Sequence, residues 1–186
     1  MESICVINYE SLRGAQNEEI VKEISVAGKN VLETFHFKSP YIMKAHGSEE
    51  NGIAWAYGQL EYDKLRQTIR EAVSGYAHLY AYGIAKTRFL TELVAQPVRN
   101  LEDFGCPQPQ GLKSQFSCSM PCHKNYVNHR CATRNAQTLF KWLEHHLKSR
   151  NYIACPPDFT RHTASFVYHI CNDVIFLFCS SCIKRR

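Results

Sequence analysis

Cysteine and histidine side chains cluster in one polar segment of the chain. Within residues 118–131 the metal-ligand types are Cys118, Cys122, His123, His129 and Cys131. Thiolate and imidazole are ligands that Zn²⁺ prefers, and free cysteines have little apolar reason to lie in so polar a stretch. The segment therefore predicts a zinc site, although its spacing is not that of a standard zinc finger or zinc ribbon.

The choice of the four zinc ligands stays open at this level. One alternative set is Cys106, Cys118 and Cys122 together with His123 or Cys131. The chain has nine cysteines in all. An odd number without a secretion signal favours reduced thiols, some buried and some bound to metal, over a disulfide framework.

Positive charge is concentrated in the same part of the chain. Residues 113–150 contain seven basic side chains against one acid, Glu144, and the chain ends in Lys184, Arg185 and Arg186. The whole chain has 22 Lys and Arg against 17 Asp and Glu, a net charge of +5, so the remainder is slightly acidic. A basic stretch on such a body favours a surface for a polyanion, and a solvated helix face is the alternative.

The composition is that of an ordinary folded protein. Of 186 residues, 45% are hydrophobic and 21% charged, which excludes disordered and fibrous chains. The longest uncharged apolar run, Val174–Cys179, is far shorter than the ~20 residues that cross a bilayer, and the first residues carry no secretion signal.

We expect a single domain over residues 1–186, with a core at about 3–150 and a C-terminal extension at 151–186. We also expect an intracellular protein, nuclear or cytoplasmic, without membrane contact.

Hydrophobic periodicity predicts an α/β fold. Strands are predicted at 3–8, 20–27, 31–37 and 77–83, and an extended segment at 97–103. Helices are predicted around Leu60–Val73, at 86–94 and at 133–148. A tail hairpin is predicted within 163–179, with its turn at Asn172 and Asp173. Three antiparallel strands followed by alternating helices and strands indicate a mixed five-stranded sheet with helices on both faces. The end of strand one is then the expected functional site.

Several segments resemble the RNase H-like 3′-to-5′ exonucleases of the DEDD type. The segments are Ile4–Glu10, Glu19–Val26, Glu33–Pro40, Ala81–Leu90 and His129–Ala136. In that family, strand one carries Asp-x-Glu, a second Asp lies near the fourth segment, and the last motif carries a His and a further Asp. The resemblance extends over about residues 3–148 and implies the RNase H-like fold.

The acids of that family are mostly replaced in this chain. Where the family has its Asp residues, this chain has Asn8, Thr87, and Arg134 or Asn135. Glu10 is retained, and His129 keeps the position of the general base. About four carboxylates are needed to hold two Mg²⁺ ions, so we expect two-metal exonuclease chemistry to be lost and assign no catalytic residue.

A second resemblance fits these replacements. The Maelstrom domain of a germline small-RNA silencing protein has the exonuclease fold without its catalytic acids and with a zinc ion held by one Glu, two His and one Cys. Segment Cys122–Ala132 resembles its arrangement ahead of the final helix. The ligands implied by the resemblance are Glu23, His36, His123 and Cys131. Their carboxylate and thiolate would neutralise Zn²⁺, which suits a structural site.

These resemblances imply a zinc-stabilised pseudoenzyme that binds nucleic acid, preferably single-stranded RNA, or serves as a scaffold for protein partners in silencing complexes of the piRNA pathway. The residues expected to contact phosphate, because they flank the former cleft, are Lys124, Arg130, Arg134 and Lys141.

Two other functions remain compatible with the sequence. The first is an active nuclease for single-stranded RNA in which Glu10 and His129 work with Asp103 or Glu102, since Maelstrom-family proteins cleave such RNA without the usual acids. The second is an interaction module whose basic face binds an acidic protein.

Overall fold

The computed structural model describes residues 3–42, 53–114, 116, 130–153, 166–171 and 174–179. The chain forms two compact units, Met1–Leu147 and Lys148–Arg186, and each is described by itself. The expectation of one domain over the whole chain stays a prediction. Among the described residues no helix has both the length and the hydrophobicity needed to cross a membrane.

The first unit is built on a five-stranded mixed sheet. Its strands are β1 (Ile4–Arg13), β2 (Glu19–Gly28), β3 (Val31–His36), β4 (His78–Ala81) and β5 (Val98–Asn100), in the order β3-β2-β1-β4-β5. The β1–β2 and β2–β3 pairs are antiparallel, and the β1–β4 and β4–β5 pairs are parallel. The predicted RNase H-like arrangement is therefore confirmed.

Helices cover both faces of this sheet, as predicted. On one face α1 (Leu65–Val73) and α2 (Ile84–Val94) pack against Cys5, Ile7 and Tyr9 of β1. On the other face α3 (Ala132–Ile153) packs against Val6 and Tyr80. The side chains that α3 contributes are Ala136, Leu139, Phe140 and Leu143. Alternate residues of β1 thus belong to two separate apolar clusters.

The hairpin between β2 and β3 has the predicted turn. Asn30 adopts a left-handed conformation with φ of 63°, which asparagine tolerates better than most residues. Strand β3 lies at the edge of the sheet, and its first residues Val31 and Leu32 are exposed.

Several element bounds differ from the sequence expectation. Strand β1 continues to Arg13 instead of ending at Asn8, because the residues after Asn8 also pair with β2, across a bulge that follows Glu10. Leu60 lies outside α1 and forms a bridge with Phe37. The extended segment predicted at 97–103 is strand only to Asn100, whose side chain caps a 3₁₀ turn at Leu101–Phe104.

The second unit contains a two-stranded antiparallel sheet of β6 (Phe166–Cys171) and β7 (Val174–Cys179). It confirms the tail hairpin, while the turn predicted at Asn172 and Asp173 lies outside the described residues. Helix α3, predicted to end near 148, continues to Ile153.

A β-bulge places a lysine inside the first unit. Glu10 pairs with Glu23 while Ser11 pairs with Val21, so Lys22 is the extra residue of β2. Its ammonium is fully buried and donates to Ser39 Oγ at 3.0 Å and to the carbonyl oxygens of Trp55 and Tyr57 at 2.9 and 2.7 Å. These partners are neutral, and burial lowers the pKa of Lys22 from 10.5 to about 8.

The substitution Lys22→Met tests this buried cation. The folded chain releases the Lys22 proton near pH 8 and the unfolded chain near pH 10.5, so unfolding takes up a proton between these values. As the pH rises through this window, we expect the free energy of unfolding of the wild type to gain about 3 kcal/mol relative to that of K22M. Urea denaturation at a series of pH values measures the difference. Lys141→Met, at an exposed position, should show no such trend, and parallel pH profiles for wild type and K22M would contradict the prediction.

Candidate functional site

Two rows of polar side chains cross the first three strands on the face that α3 covers. In one row Asn8 pairs with Ser25 and Ser25 with Thr34; in the next, Glu10 pairs with Glu23 and Glu23 with His36. Residues paired in this way project from the same face of a sheet. This face is the one under α3, because Val6, two residues before Asn8, packs in the cluster that contains this helix.

The first row fixes the start of α3 through hydroxyl groups. Ser25 Oγ lies 2.8 Å from Thr34 Oγ1, and Thr133 Oγ1 lies 3.2 Å from the former and 2.9 Å from the latter. Thr133 belongs to the first turn of α3, so the helix start is bound to both strands of the β2–β3 hairpin.

The second row is centred on the carboxylate of Glu23, which has 0% exposure. Its Oε2 accepts a hydrogen bond from the backbone N–H of Ala132 at 2.9 Å, and its Oε1 accepts one from Thr133 Oγ1 at 3.2 Å. The start of a helix presents unpaired N–H groups and a partial positive charge, which stabilise a buried anion there.

His36 lies beside this carboxylate. Its buried Nε2 is 3.7 Å from Glu23 Oε1 and has no hydrogen-bond partner among the described residues. The ring of Tyr57 packs edge-on against the His36 ring with centroids 5.2 Å apart, and Lys22 holds the carbonyl of Tyr57. In a tetrahedral zinc site, nitrogen and oxygen ligands lie about 3.3 Å apart. The Glu23–His36 separation is within a few tenths of an ångström of this value.

Cys131 is buried at the residue before α3. Its Sγ accepts a hydrogen bond from the N–H of Arg134 at 3.3 Å, and its carbonyl accepts one from the N–H of Asn135 at 3.0 Å. Cys131 directly precedes Ala132, the residue that donates to Glu23, so the Cys131 sulfur and the Glu23 carboxylate both contact the first turn of α3.

The zinc ligands inferred from the sequence are therefore only partly located. Glu23 and Cys131 contact the first turn of α3, His36 lies beside Glu23, and His123 lies outside the described residues. Within the described ranges, no group of three or more His, Cys, Asp and Glu side chains has the geometry of a metal site. The zinc site stays a prediction that the unpartnered Nε2 and the Glu23–His36 spacing favour.

The alternative ligand set is described for one residue alone. Cys106 is buried in the apolar cluster under α3, where burial raises the pKa of its thiol to about 12. Cys118 and Cys122 lie outside the described residues. Cys106 forms no disulfide.

A lysine occupies the end of the second row opposite His36. Lys86 Nζ lies 3.1 Å from Asn8 Oδ1, 2.5 Å from the Tyr9 carbonyl oxygen and 3.6 Å from Glu10 Oε1. Burial raises the pKa of Glu10; Lys86 lowers it, and the neighbouring Glu23 raises it further. Sequence reasoning retained Glu10 but missed Lys86. The available signal was a cation in the first turn of α2, where the helix start disfavours positive charge.

The other positions compared with exonuclease acids carry no carboxylate. The Thr87 hydroxyl donates to the Gly83 carbonyl of its own helix at 2.9 Å. Asn135 is buried and Arg134 half-buried in the first turns of α3. Glu102 and Asp103, the acids of the nuclease alternative, are exposed in the 3₁₀ turn after β5, and His129 lies outside the described residues.

The residues expected to contact phosphate are placed on or beside α3. Arg130 and Lys141 are exposed, and Lys141 Nζ lies 3.3 Å from Glu144 Oε2. Arg134 and Lys141 are seven residues apart, which puts them on one side of the helix about 10 Å from each other. Lys124 lies outside the described residues.

Comparison with known proteins adds little to this description. No protein-family model matches the sequence, and the search of curated proteins finds no match. Among solved structures, the chain is similar to E. coli exonuclease I in complex with a dT13 oligonucleotide, with a TM-score of 0.49 and 13% identity. The similarity covers 83% of this chain and 43% of that chain, so this chain spans less than half of exonuclease I. A likeness of this size says nothing about activity or ligand.

The substitution Glu23→Ala tests the role of the buried carboxylate. It leaves the Ala132 N–H without its acceptor and removes one of the three partners of the Thr133 hydroxyl, so we expect a loss of roughly 2–4 kcal/mol in the free energy of unfolding. Thermal and urea denaturation measure the loss. Glu33→Ala, at an exposed position of the same hairpin, is the matched control and should cost less than about 0.5 kcal/mol. Equal effects of the two variants would show that the helix start does not depend on Glu23.

Proposed function

We propose that this chain is an RNase H-like domain that has lost exonuclease chemistry, is stabilised by one zinc ion, and binds nucleic acid. The observation that carries the proposal is in the middle of strand β1, where Asn8 and Glu10 hold the ammonium of Lys86. This is where the exonuclease resemblance requires acids that bind metal.

Two-metal chemistry has no adequate ligand set among the described residues at this end of the sheet. Asn8 supplies a neutral oxygen, so Glu10 and its cross-strand neighbour Glu23 are the two carboxylates of this row, where about four are needed. A divalent ion at Glu10 would lie beside the Lys86 ammonium. At ~4 Å, two unit charges of the same sign cost about 4 kcal/mol at a protein-like dielectric, and a divalent ion costs more.

Zinc suits the opposite end of the same row. Glu23, His36 and Cys131 would supply one carboxylate, one imidazole and one thiolate, with His123 as the predicted fourth ligand. The thiolate and the carboxylate cancel the charge of Zn²⁺, so the ion can be buried at low electrostatic cost. When bound, the ion contributes a structural cross-link between the β2–β3 hairpin and the segment that leads into α3.

Metal analysis of the purified protein tests this centre. We expect about one zinc ion per chain by inductively coupled plasma mass spectrometry, and loss of most of it in His36→Ala and in Cys131→Ala. Removing the ion with a chelator should lower the melting temperature of the wild type.

Cys106→Ala is the matched control, since it removes another buried thiol next to α3. It should keep the zinc. Zinc lost from C106A but kept in H36A would establish the alternative ligand set, and wild-type protein without zinc would refute the centre altogether.

Nucleic-acid binding is proposed for the exposed side of α3. Arg130 and Lys141 are exposed, Arg134 is half-buried, and all three lie in the most basic part of the sequence. Contacts of this kind bind phosphate without reading sequence. Single-stranded RNA is the proposed ligand, and a role in small-RNA-guided silencing, with protein partners, follows from the Maelstrom resemblance.

Binding measurements with charge variants test this surface. We expect Arg134→Ala and Lys141→Ala to weaken single-stranded RNA binding to a similar degree for all sequences, and each to reduce the salt slope by about 0.7. Fluorescence anisotropy over a range of salt concentrations measures both quantities. Lys64→Ala removes an exposed charge next to α1, on the other face of the sheet, and should bind like the wild type.

The same preparations decide between this proposal and its alternatives. Magnesium-dependent cleavage of the RNA would overturn the loss of chemistry and support the nuclease. Wild-type protein that binds an acidic protein at high salt, but no RNA, would support the interaction module.

A further inference from the structure

Three oxygen atoms of strand β1 converge on one cation. They are the amide oxygen of Asn8, the backbone carbonyl of Tyr9 and a carboxylate oxygen of Glu10, at 3.1, 2.5 and 3.6 Å from Lys86 Nζ. An amide oxygen, a carbonyl and a carboxylate are the donor types that hard divalent cations prefer.

The three oxygens are held in place by the sheet and not by a flexible loop. Asn8, Tyr9 and Glu10 pair with consecutive residues of β2, and the bulge follows directly after Glu10. Asn8 is buried, and Glu10 is 13% exposed. The oxygens therefore keep their arrangement when the side chain that they hold is changed.

The Lys86 ammonium can change its position more readily than the three oxygens that hold it. The Lys86 side chain is 30% exposed, and it comes from the first turn of α2, where the helix start disfavours a cation. Its Nζ also lies 4.9 Å from the centre of the Tyr9 ring. The oxygens and the ring face compensate for the unfavourable helix position, so they determine where this charge lies.

Removal of this charge leaves an anionic site. Glu10 is the direct cross-strand neighbour of Glu23, and Lys86 is the cation paired with Glu10. Without it, two neighbouring carboxylates face each other across β1 and β2 next to two neutral oxygens. Such an arrangement attracts a cation from solution.

We propose that Asn8, the Tyr9 carbonyl and Glu10 form a binding site for a hard cation, that Lys86 is its built-in occupant, and that a neutral side chain at position 86 converts it into a site for a divalent cation. Neither the zinc ion nor nucleic-acid binding is needed for this site. The chain thereby excludes divalent metal from the middle of β1 with one of its own side chains.

Titration with Mn²⁺, followed by the electron paramagnetic resonance signal of the free ion, tests the site. We expect Lys86→Met to bind Mn²⁺ at least roughly tenfold more tightly than the wild type, because a positive charge next to the ion is gone. The double variant Lys86→Met with Glu10→Gln should lose this gain. Lys86→Arg keeps the charge and should bind Mn²⁺ as weakly as the wild type.

Lys38→Met is the matched control, since it also removes one positive charge but at an exposed site next to Glu61. It should leave Mn²⁺ binding unchanged. Equal Mn²⁺ affinity in wild type and K86M, or an affinity gain that survives Glu10→Gln, would overturn the proposal. If circular dichroism shows K86M to be unfolded, Lys86→Gln takes its place with the same expected result. Zinc content is measured in each variant, so that failure of the zinc proposal is distinguished from failure of this one.

Discussion

The contact between the Glu23 carboxylate and the start of α3 determines how the two halves of the first unit meet. Glu23 lies in the middle of the sheet, and α3 begins more than a hundred residues later in the chain. The carboxylate satisfies an N–H group that would otherwise be buried without a partner, while the helix start compensates for the buried negative charge. Each group offsets the energetic cost of burying the other, so the polar face of the β2–β3 hairpin can lie under the otherwise apolar packed face of α3.

This contact also explains why the two ends of the row formed by Glu10, Glu23 and His36 differ in the cation that each can bind. Glu23 is bonded to the helix start, His36 has a nitrogen without a hydrogen-bond partner in the described part of the chain, and Glu10 is held by Lys86. The row therefore runs from an imidazole, through two carboxylates, to an ammonium. One end is suited to a soft or borderline metal ion, and the other already contains a cation. A single line of paired residues thus supports both proposals made for this chain.

The sequence was sufficient for the order of elements, because each strand and helix carries its own periodicity and its own turn residues. The Lys29–Asn30 turn and the apolar spacing in α1 are local signals of this kind. The sequence does not predict the contacts of Lys86 or the pairing of Glu10 with Glu23, since these depend on strand register and on the placement of a helix far along the chain. Glu23, His36 and Cys131 were named from a resemblance, and nothing in their local sequence would have brought them together. The length of β1 was underestimated because a run of polar residues normally ends a buried strand, whereas here those residues have partners on β2 and α3.

The extra residue in β2 has a consequence for recognising chains of this type. Val21 and Glu23 would occupy the same side of an uninterrupted strand, yet Val21 belongs to the apolar cluster of α1 and α2 while Glu23 lies under α3. The insertion of Lys22 reverses the phase of alternation halfway along the strand. A score for the alternation of apolar and polar residues, averaged over all ten residues of β2, combines two opposite phases of alternation, so each phase weakens the signal of the other. Profiles that allow one phase reversal at this position should detect distant relatives that a uniform strand template overlooks.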